Sequence, residues 1–249
     1  MSLAFKDHFS GHAASYRSAR PVYPAALADY VASLAPGRSR VWDVGTGNGQ
    51  LAELLAAQFD VVFASDASAK QLEEARDHPK IVYAHEPAET PSLGPSSVDA
   101  ITVAQAAHWL DLEVFYAAVR RVARPRSVIV LAGYDQGKIT STIDPLVRRF
   151  SSETVGADWP PERALIDDRY RGLAFPFEEL QAPSIFMTHT WSREEFLAYV
   201  ESWSSVQRNR KRTGVDPMPA FAKQLRVAWP DDVRHEIRWE LCIRAGIVS

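Results

Sequence analysis

Asp43, Gly45, Gly47 and Gly49 fall within one short stretch, VWDVGTGNGQ at 41–50, where an acid precedes three alternating glycines. Glycine has no Cβ and tolerates positive φ, so a turn of this composition brings a small molecule against bare backbone. A dinucleotide would ask for GxGxxG, with its pyrophosphate on a helix N-terminus. Here the spacing is GxGxG, and Gln50 occupies the place of the third glycine. A carboxylate two residues before the first glycine repels a dianion, which leaves a ligand that carries positive charge and no phosphate. Asp66 offers a second carboxylate further along, able to accept from two hydroxyls at once. His108, beside Trp109, is the residue in reach of this region that could take a proton from a hydroxyl acceptor.

These groups need a scaffold that brings strand ends together, and the periodicities supply one. Leu27, Tyr30, Val31 and Leu34 follow helical spacing after Pro24, and Pro36-Gly37 closes that helix. A buried strand then runs into the glycine turn. Leu51, Leu54, Leu55 and Phe59 mark the next helix, and 61–63 begin a strand ending at Asp66. Ser68 and Gln71 have the spacing of a capping box. Further strands are expected at 81–84, 98–104 and 128–132, with a helix stripe at Leu112, Phe115, Val119 and Val122 between the last two. Short continuous apolar strands alternating with amphipathic helices indicate an α/β, doubly wound parallel sheet, whose ligands sit at the carboxyl ends of its strands.

After Tyr134 the rhythm changes. Helices are expected after Asp144-Pro145, after the Ser192–Glu195 capping box and after Asp216-Pro217, with a strand near 185–190 and an alternating strand at Ile237, Trp239, Leu241 and Ile243. The expected organisation is one domain, 1–249. Residues 1–135 form a Rossmann-like cofactor-binding core, 136–232 a mostly helical lid with an added strand, and 233–249 the last strand of a seven-stranded sheet.

S-adenosylmethionine meets the requirements of the turn, having an ammonium, a sulfonium and a ribose diol but no phosphate. The N-terminal unit resembles the class I S-adenosylmethionine-dependent methyltransferases, through VWDVGTGNGQLAELL, FASDASAKQLEEAR, HEPAET and VDAITVAQAAHWLDLEVFYAAVRRVARP. The opening SGHAASYRSARPVYP is similar to the leader of the small-molecule, type 11-like group that includes trans-aconitate methyltransferase-like proteins. The resemblance implies Asp43, Gly45, Thr46, Gly47, Asn48 and Gly49 at the methionine and sulfonium end. It implies Asp66 and Ala67 at the ribose and adenine, Ala88 and Glu89 beside the adenine, and Ala104 and Gln105 near the sulfonium, with Tyr16 and Arg20 closing over the methionine carboxylate. The sequence departs from the family pattern at Pro87, where relatives often have an aspartate, and at Pro125-Arg126-Ser127, which replaces proline-glycine-glycine.

The expected activity is therefore methyl transfer to a small-molecule acceptor, an O-methylation of a carboxylate or hydroxyl. Trp109, Tyr134 and Trp203 are candidates for the acceptor pocket, together with Trp159, Trp191 and Phe175, and the basic run 208–212 could anchor a carboxylate. Ala104-Gln105-Ala106-Ala107 lacks the Asn/Asp-Pro-Pro-aromatic pattern of methyltransferases acting on adenine or glutamine nitrogens. A net charge of −3 gives no footprint for nucleic acid, and the single Cys242 excludes an internal disulfide and multi-cysteine metal sites. His8 and His12 share a helical spacing but lack a third ligand, so no metal is expected. No membrane span is expected either, which points to the cytoplasm and to a monomer or homodimer. Two other readings stay open: an oxidoreductase on a related nucleotide fold, and a protein that binds S-adenosylmethionine without transferring its methyl.

Overall fold

The computed structural model describes residues 20–248; Tyr16, His8 and His12 lie outside them. Its sheet contains β1 (Arg40–Val44), β2 (Val61–Asp66), β3 (Ile81–His85), β4 (Val98–Ala104), β5 (Ala123–Tyr134), β6 (Glu178–Leu180), β7 (Phe186–Trp191) and β8 (His235–Ile247). The path is β3-β2-β1-β4-β5-β8-β6, with β7 pairing β8 off the path. β1 to β5 are mutually parallel, while β6, β7 and β5 all meet β8 antiparallel. The order reverses between β1 and β4, which places the glycine turn at the switch point.

Alternation along β1 sends its side chains to opposite faces. Val41 joins a core shared with α1 (Ala25–Leu34) and α2 (Gln50–Leu55), whereas Trp42 and Val44 join one shared with α4 (Leu112–Val122). The first core continues into the lid, whose α7 (Arg193–Glu201), α8 (Ser204–Thr213) and α9 (Met218–Ala228) contribute Phe196, Tyr199, Val206, Phe221 and Leu225. Residues 136–232 and the sheet therefore share one apolar interior. The remaining helices are α3 (Ala69–Glu73), α5 (Asp144–Arg149) and α6 (Arg163–Asp167). No helix among the described residues is long and apolar enough to cross a membrane.

The sheet has eight strands rather than seven, and the additional one is β6, which pairs 245–247 of β8 on the edge away from β5. The last residues of β8 pair β5, while its 235–240 half runs beyond β5 and pairs the expected β7. β6 was absent from the sequence reading because three residues, Glu-Glu-Leu, carry no alternation; charged edges of this kind resist pairing with other chains. The Ser192 capping box forms in full, with Ser192 N–H donating to Glu195 at 2.6 Å and Glu195 N–H to Ser192 Oγ at 3.3 Å. The expected box at Ser68 does not form. Ser68 donates its own N–H to Asp66 at 2.8 Å, its side chain makes no cap hydrogen bond, and α3 runs only five residues.

Candidate active site

The turn after β1 is closed on itself. Gly45 and Gly47 have φ of 62° and 59°, and a Cβ on Gly45 would lie 2.6 Å from that of Ala106. Glycine is thus required at Gly45 by both backbone and space. Three N–H groups that could have cradled a phosphate are already used: Thr46 donates to Ser65 O at 3.0 Å, Gly49 to Thr46 O at 3.0 Å, and Gly47 to Asp66 Oδ2 at 2.8 Å. What the turn presents instead is negative charge. Asp43 is 1% exposed, accepts from Thr46 Oγ1 at 2.6 Å and from Thr102 Oγ1 at 2.7 Å, and has no cation paired with it among the described residues. Burial pushes its carboxyl up to about 6, against the pull of those hydroxyls, and the nearby Asp66 adds to the rise. A cation placed here would reverse the effect of burial.

Asp66 is itself shifted upward, chiefly by burial, against the N–H groups of Ser68 and Gly47 that favour its charged form. Each of its oxygens takes one N–H, at 2.8 Å in both cases, and each keeps lone-pair capacity for a ribose hydroxyl. Ala67 gives its carbonyl to His85 Nε2 at 3.1 Å, Ala88 is buried, and Glu89 accepts from Asp111 N at 3.1 Å, which ties the β3 side of the cleft to the start of α4. Asn48 is buried, and its Nδ2 lacks a hydrogen-bond partner among the described residues.

Two residues take positions that spacing did not foretell. Gln105, at φ 55°, turns its amide onto Tyr134, donating to its carbonyl at 3.1 Å and accepting from its N–H at 2.8 Å. Its side chain therefore clamps β4 to β5, leaving backbone rather than amide for a ligand beside Ala104. Arg20 lies over the Tyr199 ring and donates to Ser202 O at 3.2 Å, so it joins the leader to α7.

His108 sits in a one-turn 3-10 helix, 107–109, with Trp109 at 4.7 Å between ring centroids. Burial, with the Arg163 guanidinium beside it, brings its pKa down to about 3. The ring is neutral at physiological pH and a weak base. Its Nδ1 is 3.1 Å from the Tyr170 hydroxyl. Tyr134 packs edge-on against Tyr23 at 6.3 Å. Trp203 lies 3% exposed in the lid's aromatic core, against Trp159, Phe150 and Tyr199. Trp191 packs on Trp239 and Tyr199. Phe175 lies apart from these, edge-on to Phe177 and under Arg244 at Gly246 of β8.

Among the described residues, two of the four cations in the basic run are ion-paired. Arg210 pairs with Asp216 and Glu201, and Arg212 with Asp158, whose carboxyl it holds down to about 2. Sequence reasoning missed Thr102, Arg163 and Tyr170. Thr102 had a signal, a lone polar residue within an apolar strand in register with Asp43. Arg163 and Tyr170 had none, because folding alone brings them to His108.

The open α/β sheet places at its switch point a glycine turn with a buried acid, Asp43, and with its Gly47 N–H already donated to Asp66, an arrangement that suits a cationic ligand better than a phosphate. A family model described as a methyltransferase domain matches residues 42–131. A Dictyostelium discoideum protein, provisionally assigned as a methyltransferase, is 33% identical over 229 residues, 90% of this chain and 87% of its own. An uncharacterized methyltransferase of Mycobacterium tuberculosis is 31% identical over 207 residues, 82% of this chain and 78% of its own. Among solved structures, a chain from Anaeromyxobacter dehalogenans, provisionally assigned as a type II methyltransferase, superposes with a TM-score of 0.87 at 40% identity, over 92% of this chain and 98% of that one. The chain belongs to the class I S-adenosylmethionine-dependent methyltransferases and is an enzyme of that family.

Proposed function

We propose that the protein binds S-adenosylmethionine at the glycine turn and methylates an oxygen of a small-molecule acceptor, a carboxylate or a hydroxyl. The observation that carries this reading is Asp43, a buried carboxylate at the switch point with no cation paired to it among the described residues. Gly45, Thr46, Gly47, Asn48 and Gly49 would hold the amino-acid end beside it. Asp66 and Ala67 would take the ribose, Ala88 and Glu89 the adenine, and the backbone of Ala104 and Gln105 the sulfonium side. When bound, the cofactor supplies an electrophilic methyl group on a good leaving sulfur, so the chain's own task is alignment in a dry pocket. Such positioning is worth roughly 7 to 11 kcal/mol of a barrier. Trp109 and Tyr134 flank the acceptor beside His108, while Trp203 supports the lid that excludes water.

Incubating the protein with methyl-labelled S-adenosylmethionine and a metabolite extract tests this. Label recovered in a small, base-labile ester or in an ether supports it, and label found only on nitrogen or carbon, or nowhere, defeats it.

A further inference from the structure

We propose that Tyr170 is a positioning residue that makes His108 a hydrogen-bond donor to the acceptor, so that the acceptor oxygen must be ionised before transfer. This rests on the methyl-transfer reading above and narrows its acceptor to the carboxylate class. Tyr170 is fully buried, and its hydroxyl has one hydrogen-bond partner among the described residues, His108 Nδ1 at 3.1 Å. If Nδ1 carried the proton, the tyrosine's own O–H would be left buried without an acceptor, a loss of about 1–3 kcal/mol. Tyr170 therefore donates, Nδ1 accepts, and the ring proton resides on Nε2.

The backbone is bent to achieve this. Arg169 and Tyr170 are consecutive left-handed residues, at φ 56° and 59°, each unfavourable for an L-residue by roughly 1–2 kcal/mol. They turn the chain after α6 so that the tyrosine ring passes under β5, where a Cβ on Gly133 would meet it at 2.8 Å. The charged and titratable groups around the pair point the same way. Arg163, stacked over Trp159 and ion-paired with Asp135 and Asp167, opposes protonation of His108, while burial holds Tyr170 in its phenol form, aided by the nearby Cys242. A neutral imidazole with hydrogen on Nε2 offers a donor and has no free lone pair to remove a proton. An alcohol or phenol would have to lose a proton that His108 cannot take. A carboxylate oxygen instead forms its bond to the methyl carbon with its own electron pair and sheds no proton, the pair of the broken bond going to the leaving sulfur.

Long-range proton–nitrogen NMR on histidine-labelled protein, with neither cofactor nor acceptor, reads the tautomer directly. His108 should show a neutral, Nε2-protonated pattern from pH 8 down to pH 5, and Tyr170→Phe should turn it into a tautomer mixture. A wild-type ring protonated on Nδ1, or one titrating near pH 6.5, overturns the proposal whether or not the O-methylation reading holds. If Tyr170→Phe fails to fold, His108→Gln takes its place, since its amide keeps a donor near Nε2 and cannot act as a base. Transfer to a carboxylate should stay within about tenfold of wild type in His108→Gln and fall about 100-fold in His108→Ala. Equal loss in both variants, or an ether as the sole methylated product, overturns it.

Discussion

Asp43 costs the cofactor-free protein stability. Its folded pKa lies above the unfolded value, so the native state holds more protons between pH 3.8 and about 6, and stability falls as pH rises through that window. Above it the penalty reaches about 3 kcal/mol. Asp43→Asn removes the penalty, so at pH 8 the variant should melt several degrees above wild type, whereas near pH 3.5 the two should coincide. A variant that melts lower at pH 8 would show that the carboxylate is needed for folding instead. The candidate site residues were unevenly legible in the sequence. Asp43 and its glycines sit together in the chain, so spacing alone revealed them. Tyr170 reaches His108 across 62 positions and Arg163 joins them from another helix, and no local pattern records such a meeting.

Among the elements, β1, β4 and β5 were readable because strands buried on both faces are continuous apolar runs, β2 and the edge strand β3 because they are short apolar runs too although Val82 is exposed, and α7 because its capping box is a four-residue code. β6 and the extra reach of β8 were not, since three residues on a sheet edge carry no periodicity and the reach of β8 follows from how far it runs beyond β5. The first residues of β5 give a physical form to one departure from the resemblance. Arg126 adopts φ 62° where the resemblance leads to an expectation of glycine, while Ser127 is buried and donates to Val98 O at 2.7 Å. Arg126→Gly should therefore stabilise the protein by about 1 kcal/mol, the left-handed strain exceeding the entropy cost of glycine. Denaturant unfolding checks this, and a midpoint moved downward would mean that the arginine side chain contributes more than its backbone costs.

For the whole molecule, residues 136–232 and the sheet share one interior, because the apolar face on which α1 and α2 pack runs on into Tyr199, Trp203, Trp229 and Trp239. Many of the aromatic residues beyond Tyr134 thus serve as core. The fold was legible from the chain, whereas the neighbours of His108 depend on tertiary structure. The central claim is that the switch point is built for a cation. Calorimetric titration of S-adenosylmethionine into wild-type protein and Asp43→Asn at pH 8 tests it most directly. Saturable binding to wild type, weakened at least about 30-fold in the variant by loss of roughly 2–5 kcal/mol of buried charge pairing, is the expected result. Equal affinity in the two proteins, or saturable binding of NAD in its place, would contradict it.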